Sequence, residues 1–435
     1  MRLAAVSLLG LVVTGCSDGA PAEPGADAAV DARVIGPIGP VTVVVTTEPG
    51  EDTVGAPVAG VEVYFLGVDG AWVMQATDLD GRATAEVEAG STALVVRPVD
   101  GGTYATAYLD LVPGMEVHAG SRTPSRPRPT NGGEVEVALT APQAQVLGDC
   151  IFPHSVTPGV DRAPFDGTCP RLADAMIVQV AYDDAGVIGY STVAGVDHTT
   201  TSAVTMPAAL SPPTRLAIGY RGLPSSFIAV NASARTDHGL EALSFGRLSA
   251  EVDGPDVDGM IALAPVGDRF SLVTMFGASS RPPLHYLRRA PTVPTTLTID
   301  VGAQHLGHNS YPRVSRTAPT PVIAWTNDPA APGRRADVAY ARGQYQGAQG
   351  AVYLRVLGDG ARTELALPAL PPPLAGLTAR EGSASFNILI RADLGSHPDY
   401  ASAARDFVAD ATNLTSNPRS FPAEVEAWYT DSSVQ

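Results

Sequence analysis

From Val41 onward the chain is written in a period of two. In PVAGVEVYFLG, Val61, Val63 and Phe65 fall on one face, with Glu62 and Tyr64 on the other, which predicts a half-buried strand. In RATAEVE, Ala83, Ala85 and Val87 alternate with Arg82, Thr84 and Glu86, and in EVEVAL, Val135, Val137 and Leu139 alternate with Glu134 and Glu136. STALVVRP and TYATAYLDL add further strands. From Arg171 the series continues through AMIVQVAY, VIGYST, TSAVTM, RLAIGY, SFIAVNA, MIALAP and FSLVTMF. From about Pro294 it runs through TTLTIDV, TPVIAWT, ADVAYARGQY, AVYLRVLG, TELALPAL, SASFNILIRADL and AEVEAWYT. Turn residues separate the runs, among them Asp78-Leu79-Asp80-Gly81, Asp183-Asp184-Ala185-Gly186 and Asp359-Gly360. Strands spaced at roughly 8–12 residues predict an all-β chain of serial β-sandwich domains. One stretch has helical spacing: in DYASAARDFVAD, Tyr400, Ala403, Ala404, Phe407 and Val408 share a face.

The N-terminal residues break this pattern. Arg2 precedes an apolar run, Leu3 to Val13, which is too short to span a bilayer and suits the core of a signal peptide. The run ends in Val13-Thr14-Gly15-Cys16, which resembles the lipobox of bacterial lipoproteins. That resemblance implies cleavage after residue 15, a diacylglyceryl group on the Cys16 thiol and usually an acylated Cys16 amine. Each buried methylene contributes about 0.8 kcal/mol, so two or three chains hold a protein on a membrane. Ser17 stands where enterobacterial sorting reads Asp as an inner-membrane signal, so the resemblance favours an outer-membrane lipoprotein of the bacterial envelope, facing the periplasm or the surface. Residues 17–40, rich in Ala, Asp, Gly and Pro, lack periodicity and are expected to form a disordered tether.

Within residues 41–140 the chain resembles the carboxypeptidase regulatory-like, or transthyretin-like, β-sandwich family. The residues that carry the resemblance are Pro57, Gly60, Val61 and Val63, then Thr77, Asp78, Asp80 and Gly81, with Gly90 ending the next strand. In that family the domain is an accessory module without catalytic residues. Asp78 and Asp80 open like a calcium loop, but position twelve is Ala89 where a Glu is needed. A tight turn explains them better. Residues 141–293 are read as a second β-rich domain. Residues 294–435 form a third, which resembles fibronectin-III-like or immunoglobulin-like sandwiches in general plan only.

Charge and chemistry narrow the reading. The chain carries 28 basic and 45 acidic residues, for a net −17, and every basic residue is Arg. Such a balance argues against nucleic acid as a partner. With Cys16 lipidated, Cys150 and Cys169 remain, an even pair bracketing a Pro- and Gly-rich stretch in a compartment where disulfides persist. Closing that loop is worth roughly 3 kcal/mol. A reactive thiol would need an activating base, and His154 is the candidate in the segment. The Pro- and Arg-bearing stretch Ser121 to Pro129 is expected to be a stiff connection. Glu251, Asp253, Asp256 and Asp258 in EVDGPDVDG are the best hard-cation candidates, though acids at strand ends are usually solvated. His305 and His308 would suit zinc on a helix, but the flanking Gly302, Gly307 and Pro312 argue for a surface loop. Trp325, Trp428 and Tyr429 are candidates for a small sugar platform or for core.

No nucleophile elbow, zinc-protease helix, phosphate loop or dinucleotide fingerprint is present. The expected function is therefore non-catalytic: a membrane-anchored envelope lipoprotein that is structural, adhesive or ligand-presenting, with a protein or glycan partner and no cofactor beyond the Cys16 lipid. The competing class is an envelope hydrolase or glycan-active enzyme with its site in residues 171–435. A deep cleft lined by paired carboxylates or a Ser–His contact would mark it. The tether reading is open to test: limited proteolysis should cut first between Ser17 and Pro40 and leave a resistant body beginning near Val41. Early cuts throughout 171–290 would count against a compact second domain.

Overall fold

The computed structural model describes residues 36–47, 56–67, 69–99, 101–121, 131–139, 141, 143–151, 154–156, 160–167, 169, 171–183, 186–238, 241–278, 281–307, 309–315, 321–327, 334–395, 397, 399–406 and 425–432. Cys16, residues 17–35 of the expected tether and the segment 122–130 lie outside the described residues. So do Phe407 and Val408; the helix described there is Tyr400–Asp406, which buries Tyr400, Ala403 and Ala404. Ile38 to Pro40, also expected in the tether, instead open the strand Ile38–Thr47, where they pair with Glu86 to Glu88.

The fold is all-β and layered. The strands that precede residue 122 make two facing layers. One holds Arg82–Glu88, Ile38–Thr47 and Glu116–Ser121 in that order, the last two parallel. The other holds Trp72–Ala76, Glu62–Leu66, Ser91–Val99 and Gly102–Leu111. The Asp78 turn works through its side chain, Oδ1 accepting the N–H groups of Asp80 and Arg82 at 2.9 and 2.8 Å. Gly81 must be glycine: its φ is +70°, and a Cβ there would meet the Val45 carbonyl oxygen at 2.4 Å.

The second layer does not end at Gly102–Leu111. That strand pairs in parallel with Gly350–Asp359, and the sheet runs on to twelve strands. Beyond the joint follow Val338–Gly347, Ser385–Asp393, Val425–Ser432, Leu284–Ala290, Arg269–Ala278, Phe227–His238 and Glu241–Glu251, each antiparallel to the one before. One sheet thus takes strands from each of the three β-rich stretches. Asn131–Ala138, which the sequence placed within the sandwich of residues 41–140, pairs instead with Val160–Asp166 and Ala203–Thr205.

Residues directly opposite one another on neighbouring strands share a face. On one face Phe65, Ala93, Tyr108, Leu357, Tyr340 and Ile390 form a continuous row of core, packed with Val43, Val117 and the Tyr400–Asp406 helix. On the other, Tyr64, Leu94, Ala107, Val356, Ala341 and Leu389 form a second row, packed with Ile323, Trp325, Leu365 and Leu374. Tyr64, expected on a solvated face, is therefore buried, because residues 321–377 cover that side.

The joint is fastened at both ends. At one, Gly102 lets the backbones close up, since a Cβ there would meet the Ala351 carbonyl oxygen at 2.4 Å. At the other, Asp110 takes a left-handed φ of 58° and receives Arg362 through both carboxylate oxygens at 2.5 Å, together with the Asp359 N–H at 3.0 Å. The Arg362 guanidinium is pushed above its ordinary pKa by that hydrogen bond to Asp110. Asn shares with Asp a tolerance of the left-handed region, so Asp110→Asn removes the charge and keeps the turn. A double-mutant cycle of Asp110→Asn with Arg362→Ala, read by urea unfolding, should return a coupling of about 1–2 kcal/mol, discounted for partial exposure. A coupling near zero would show that solvent carries the pair.

Candidate functional site

Beside the joint, a small crevice lies between the strand Glu116–Ser121 and the large sheet. Val95 and Arg97, Tyr104 and Thr106, Ala119 and Gly120, and Arg355 line it. Its floor follows from strand register: Val95, Thr106 and Arg355 lie side by side, as do Arg97, Tyr104 and Tyr353. Tyr104 and Tyr353 stack with centroids 4.9 Å apart, and the Arg355 guanidinium sits 5.2 Å from the Tyr104 centroid. Arg355 is 5% exposed. Arg97 is half-buried and makes no hydrogen bond or ion pair among the described residues; burial pulls its guanidinium below the ordinary value. Among the lining residues there is no Asp or Glu. The site thus places one buried and one half-buried arginine at inward positions of the two strands that flank Gly102–Leu111. Neither arginine stands out in the sequence by motif or spacing, yet a signal is present. Arg97 continues the inward series Ala93, Val95, and Arg355 interrupts Tyr353 and Leu357, so each arginine occupies a position that alternation reserves for core.

A second cluster surrounds Asp149, which is fully buried. Its carboxylate accepts the Met176 N–H at 2.9 Å and lies 2.9 Å from His238 Nδ1, while Arg171 sits against His238 Nε2. A guanidinium only donates, so Nε2 accepts and Nδ1–H donates to Asp149. The base of a Ser-His-Asp triad turns Nε2 toward a hydroxyl. Here it faces a cation, and the cluster ties the strand Ala144–Gly148 to the hairpin Phe227–Glu251, as do the neighbouring apolar contacts of Leu147 and Val178 with Leu243 and Ala264.

The sequence candidates fall as follows. Cys150 and Cys169 form a disulfide with Cα atoms 5.4 Å apart. Glu251, Asp253, Asp256 and Asp258 are exposed; Asp258 pairs with Arg221 at 2.5 Å, and Asp256 accepts the Gly222 N–H at 3.1 Å. No three His, Cys, Asp or Glu side chains converge as metal ligands among the described residues. His305 corrects the surface-loop reading: it is 3% exposed, its Nδ1–H donating to the Val301 carbonyl at 2.7 Å, while His308 lies outside the described residues. Trp325, Trp428 and Tyr429 are core residues, each at most 4% exposed, which removes them as a sugar platform.

No family model matches the chain. No curated protein matches it either. Among solved structures it is similar to the Bacillus anthracis TIE protein, at 9% identity and a TM-score of 0.15, over 60% of this chain and 49% of that one. The chain thus spans about half the length of that protein. It is also similar to the shaft pilin SpaA from Lactobacillus rhamnosus GG (6% identity, TM-score 0.13, 60% of this chain and 96% of that one). A third likeness is to a structure titled for host cell surface retention of a 1.5-MDa bacterial ice-binding adhesin (9% identity, TM-score 0.13, 60% and 98%). At TM-scores this low the three likenesses carry no argument about activity.

A pH response follows from His285. It is 5% exposed, stacks on Tyr429 at 4.8 Å, has no hydrogen-bond partner on either ring nitrogen among the described residues, and is pushed by burial down to about 4. The unfolded chain takes up this proton near pH 6.5 and the folded chain only near 4. Stability from this group is therefore full above about pH 6.5 and is lost as pH falls to about 4, by about 3 kcal/mol in all. His285→Phe keeps the ring stack and should flatten the fall in melting temperature across that window. An unchanged slope would assign it elsewhere.

Proposed function

We propose that this protein is a lipid-anchored surface protein of the bacterial cell envelope, which works by presenting surface and not by turnover. The observation that supports it best is the build: a twelve-stranded sheet that carries packed apolar cover on both of its faces. A rigid scaffold with residues displayed at its margins is what a presenting protein needs. The lipobox residues Val13 to Cys16 supply the anchor, and residues 17–35, ahead of the strand Ile38–Thr47, the reach. The Cys150–Cys169 disulfide suits an oxidising compartment. No described helix is long and apolar enough to cross a membrane, and the proposed attachment does not require one. The first sandwich, on the residues that resemble the transthyretin-like family, serves as the accessory module that braces the crevice. His238, with Asp149 on one nitrogen and Arg171 on the other, is held as structure.

Two measurements test this reading. In its host, radiolabelled palmitate should enter the wild-type protein and not Cys16→Ser; label in that variant would remove the anchor. Purified protein screened with esterase, peptidase, phosphatase and glycosidase substrates, with and without calcium or zinc, should show no turnover. Activity that follows the protein through its final column and disappears in His238→Ala would replace the proposal with the hydrolase reading.

A further inference from the structure

We infer that the strand Trp72–Ala76, at one margin of the twelve-stranded sheet, is a docking edge that takes an extended apolar segment with basic flanks from a partner protein and adds it as a further strand. This deepens the presenting role, on which it rests for there being a partner, and names that partner's chemistry.

The two margins of the sheet are built differently. At one, Glu241–Glu251 exposes Arg247 and Glu251, and its apolar residues are covered. Leu243 and Phe245 pack with Leu147 and Val178, and Leu248 packs against the cluster of Ile261 and Leu263. A Cβ on Gly246 would meet the Ala262 carbonyl oxygen at 2.7 Å, so another strand lies against this margin. Charge and cover are the usual protections of an edge. The other margin has neither. Trp72–Ala76 reads WVMQA, without charge or proline, and Val73 and Met74 are 44% and 49% exposed.

The pairing pattern identifies what this edge offers. The Gly67 N–H donates to the Ala71 carbonyl at 2.7 Å and the Thr77 N–H to the Val61 carbonyl at 3.0 Å; between them Val73 lies opposite Phe65 and Gln75 opposite Val63. The odd-numbered residues thus bond inward to Glu62–Leu66. Trp72, Met74 and Ala76 turn their N–H and C=O groups outward, where no described strand pairs with them. The edge is also held in place. The Trp72 indole N–H donates to the Ala369 carbonyl at 2.9 Å, and the Thr77 carbonyl accepts the Gly60 N–H at 2.8 Å. A preformed edge leaves little of its own order to be imposed when a strand is added.

Charge selects the occupant. Glu62 opposite Ala76, Asp69 in the preceding turn, and Asp78 and Asp80 in the following one are all exposed, and none forms an ion pair among the described residues. Arg82, which follows that turn, is held by Glu116. An apolar middle between acidic ends is complementary to an apolar middle between basic ends. A second copy fits less well, because antiparallel self-pairing about Met74 would bring Asp69 of each chain near Asp78 of the other.

The test is fluorescence anisotropy on the full-length protein in detergent with a labelled, capped probe peptide, Arg-Arg-Thr-Val-Val-Val-Thr-Arg-Arg. The probe should bind saturably at low salt, and at least about tenfold more weakly when its arginines are replaced by glutamate. A probe N-methylated at every valine and threonine has no donors for the edge and should not bind. Met74→Pro removes one outward N–H at a position where an edge strand tolerates proline, and should weaken binding about tenfold with an unchanged melting temperature. Val73→Lys with Met74→Lys leaves the backbone intact, sets positive charge against the probe and should weaken it as far. Equal affinity of the glutamate-flanked or N-methylated probe, or full affinity in either variant, would overturn the assignment. So would dimers in sedimentation that dissociate in the double lysine variant, in favour of a second copy. Loss of probe binding with palmitate labelling intact defeats the edge alone. Turnover in the substrate screen defeats the presenting role and leaves the anisotropy unaffected.

Discussion

The parallel pairing of Gly102–Leu111 with Gly350–Asp359 is the interaction on which the rest depends. Some 250 residues separate the partners, so local preference does not bring them together and the contacts must repay the loop they close. They do so along the whole joint. Gly102 admits the Ala351 carbonyl, Tyr104 stacks on Tyr353, and Asp110 grips Arg362. The Tyr400 hydroxyl, raised well above its ordinary pKa by burial, donates to the Leu109 carbonyl at 2.8 Å. Without this pairing the first sandwich and the remaining strands would keep two exposed edges.

The joint also explains where the crevice lies. The twelve-stranded sheet is wider than the three-stranded layer that packs on it, and the Tyr400–Asp406 helix extends that cover over the face that carries Leu357, Tyr340 and Ile390. Near the last described residues of that layer, at Ala119 and Gly120, the inward positions of the sheet are taken by Arg97 and Arg355 beside Tyr104 and Thr106.

Strand identity was legible in the sequence because alternation is a local signal. Ala83 and Val87 are inward where alternation places them, and so are Val135 and Val137. The disulfide was legible because its two cysteines bracket a stretch with no other organiser. Pairing was not legible, since the hydrogen bonds of a sheet carry no side-chain label and Asn131–Ala138 reads equally well beside either neighbour. Coverage was not legible either. Tyr64 has the pattern of a solvated face until residues 321–377 are laid over it. His305 reads as loop because its burial depends on a single turn of helix and a bond to Val301. The site is built from single residues on separate strands, and no spacing in sequence announces it.

The place of Val425–Ser432 has a consequence for how the chain reaches this state. The strand sits inside the sheet, between Leu284–Ala290 and Ser385–Asp393, and not at its margin. Until residues 425–432 are available, the strands on either side are two open edges facing one another across a gap one strand wide. Assembly therefore resembles the seating of a keystone: the parts that flank it are synthesised first and close last. A chain released before that strand is made would expose both edges to any extended segment nearby, including the same segment of another copy. For a protein dominated by contacts between distant residues, folding is slow by topology. Delivery of this one segment is the step that turns several β-layers into one body.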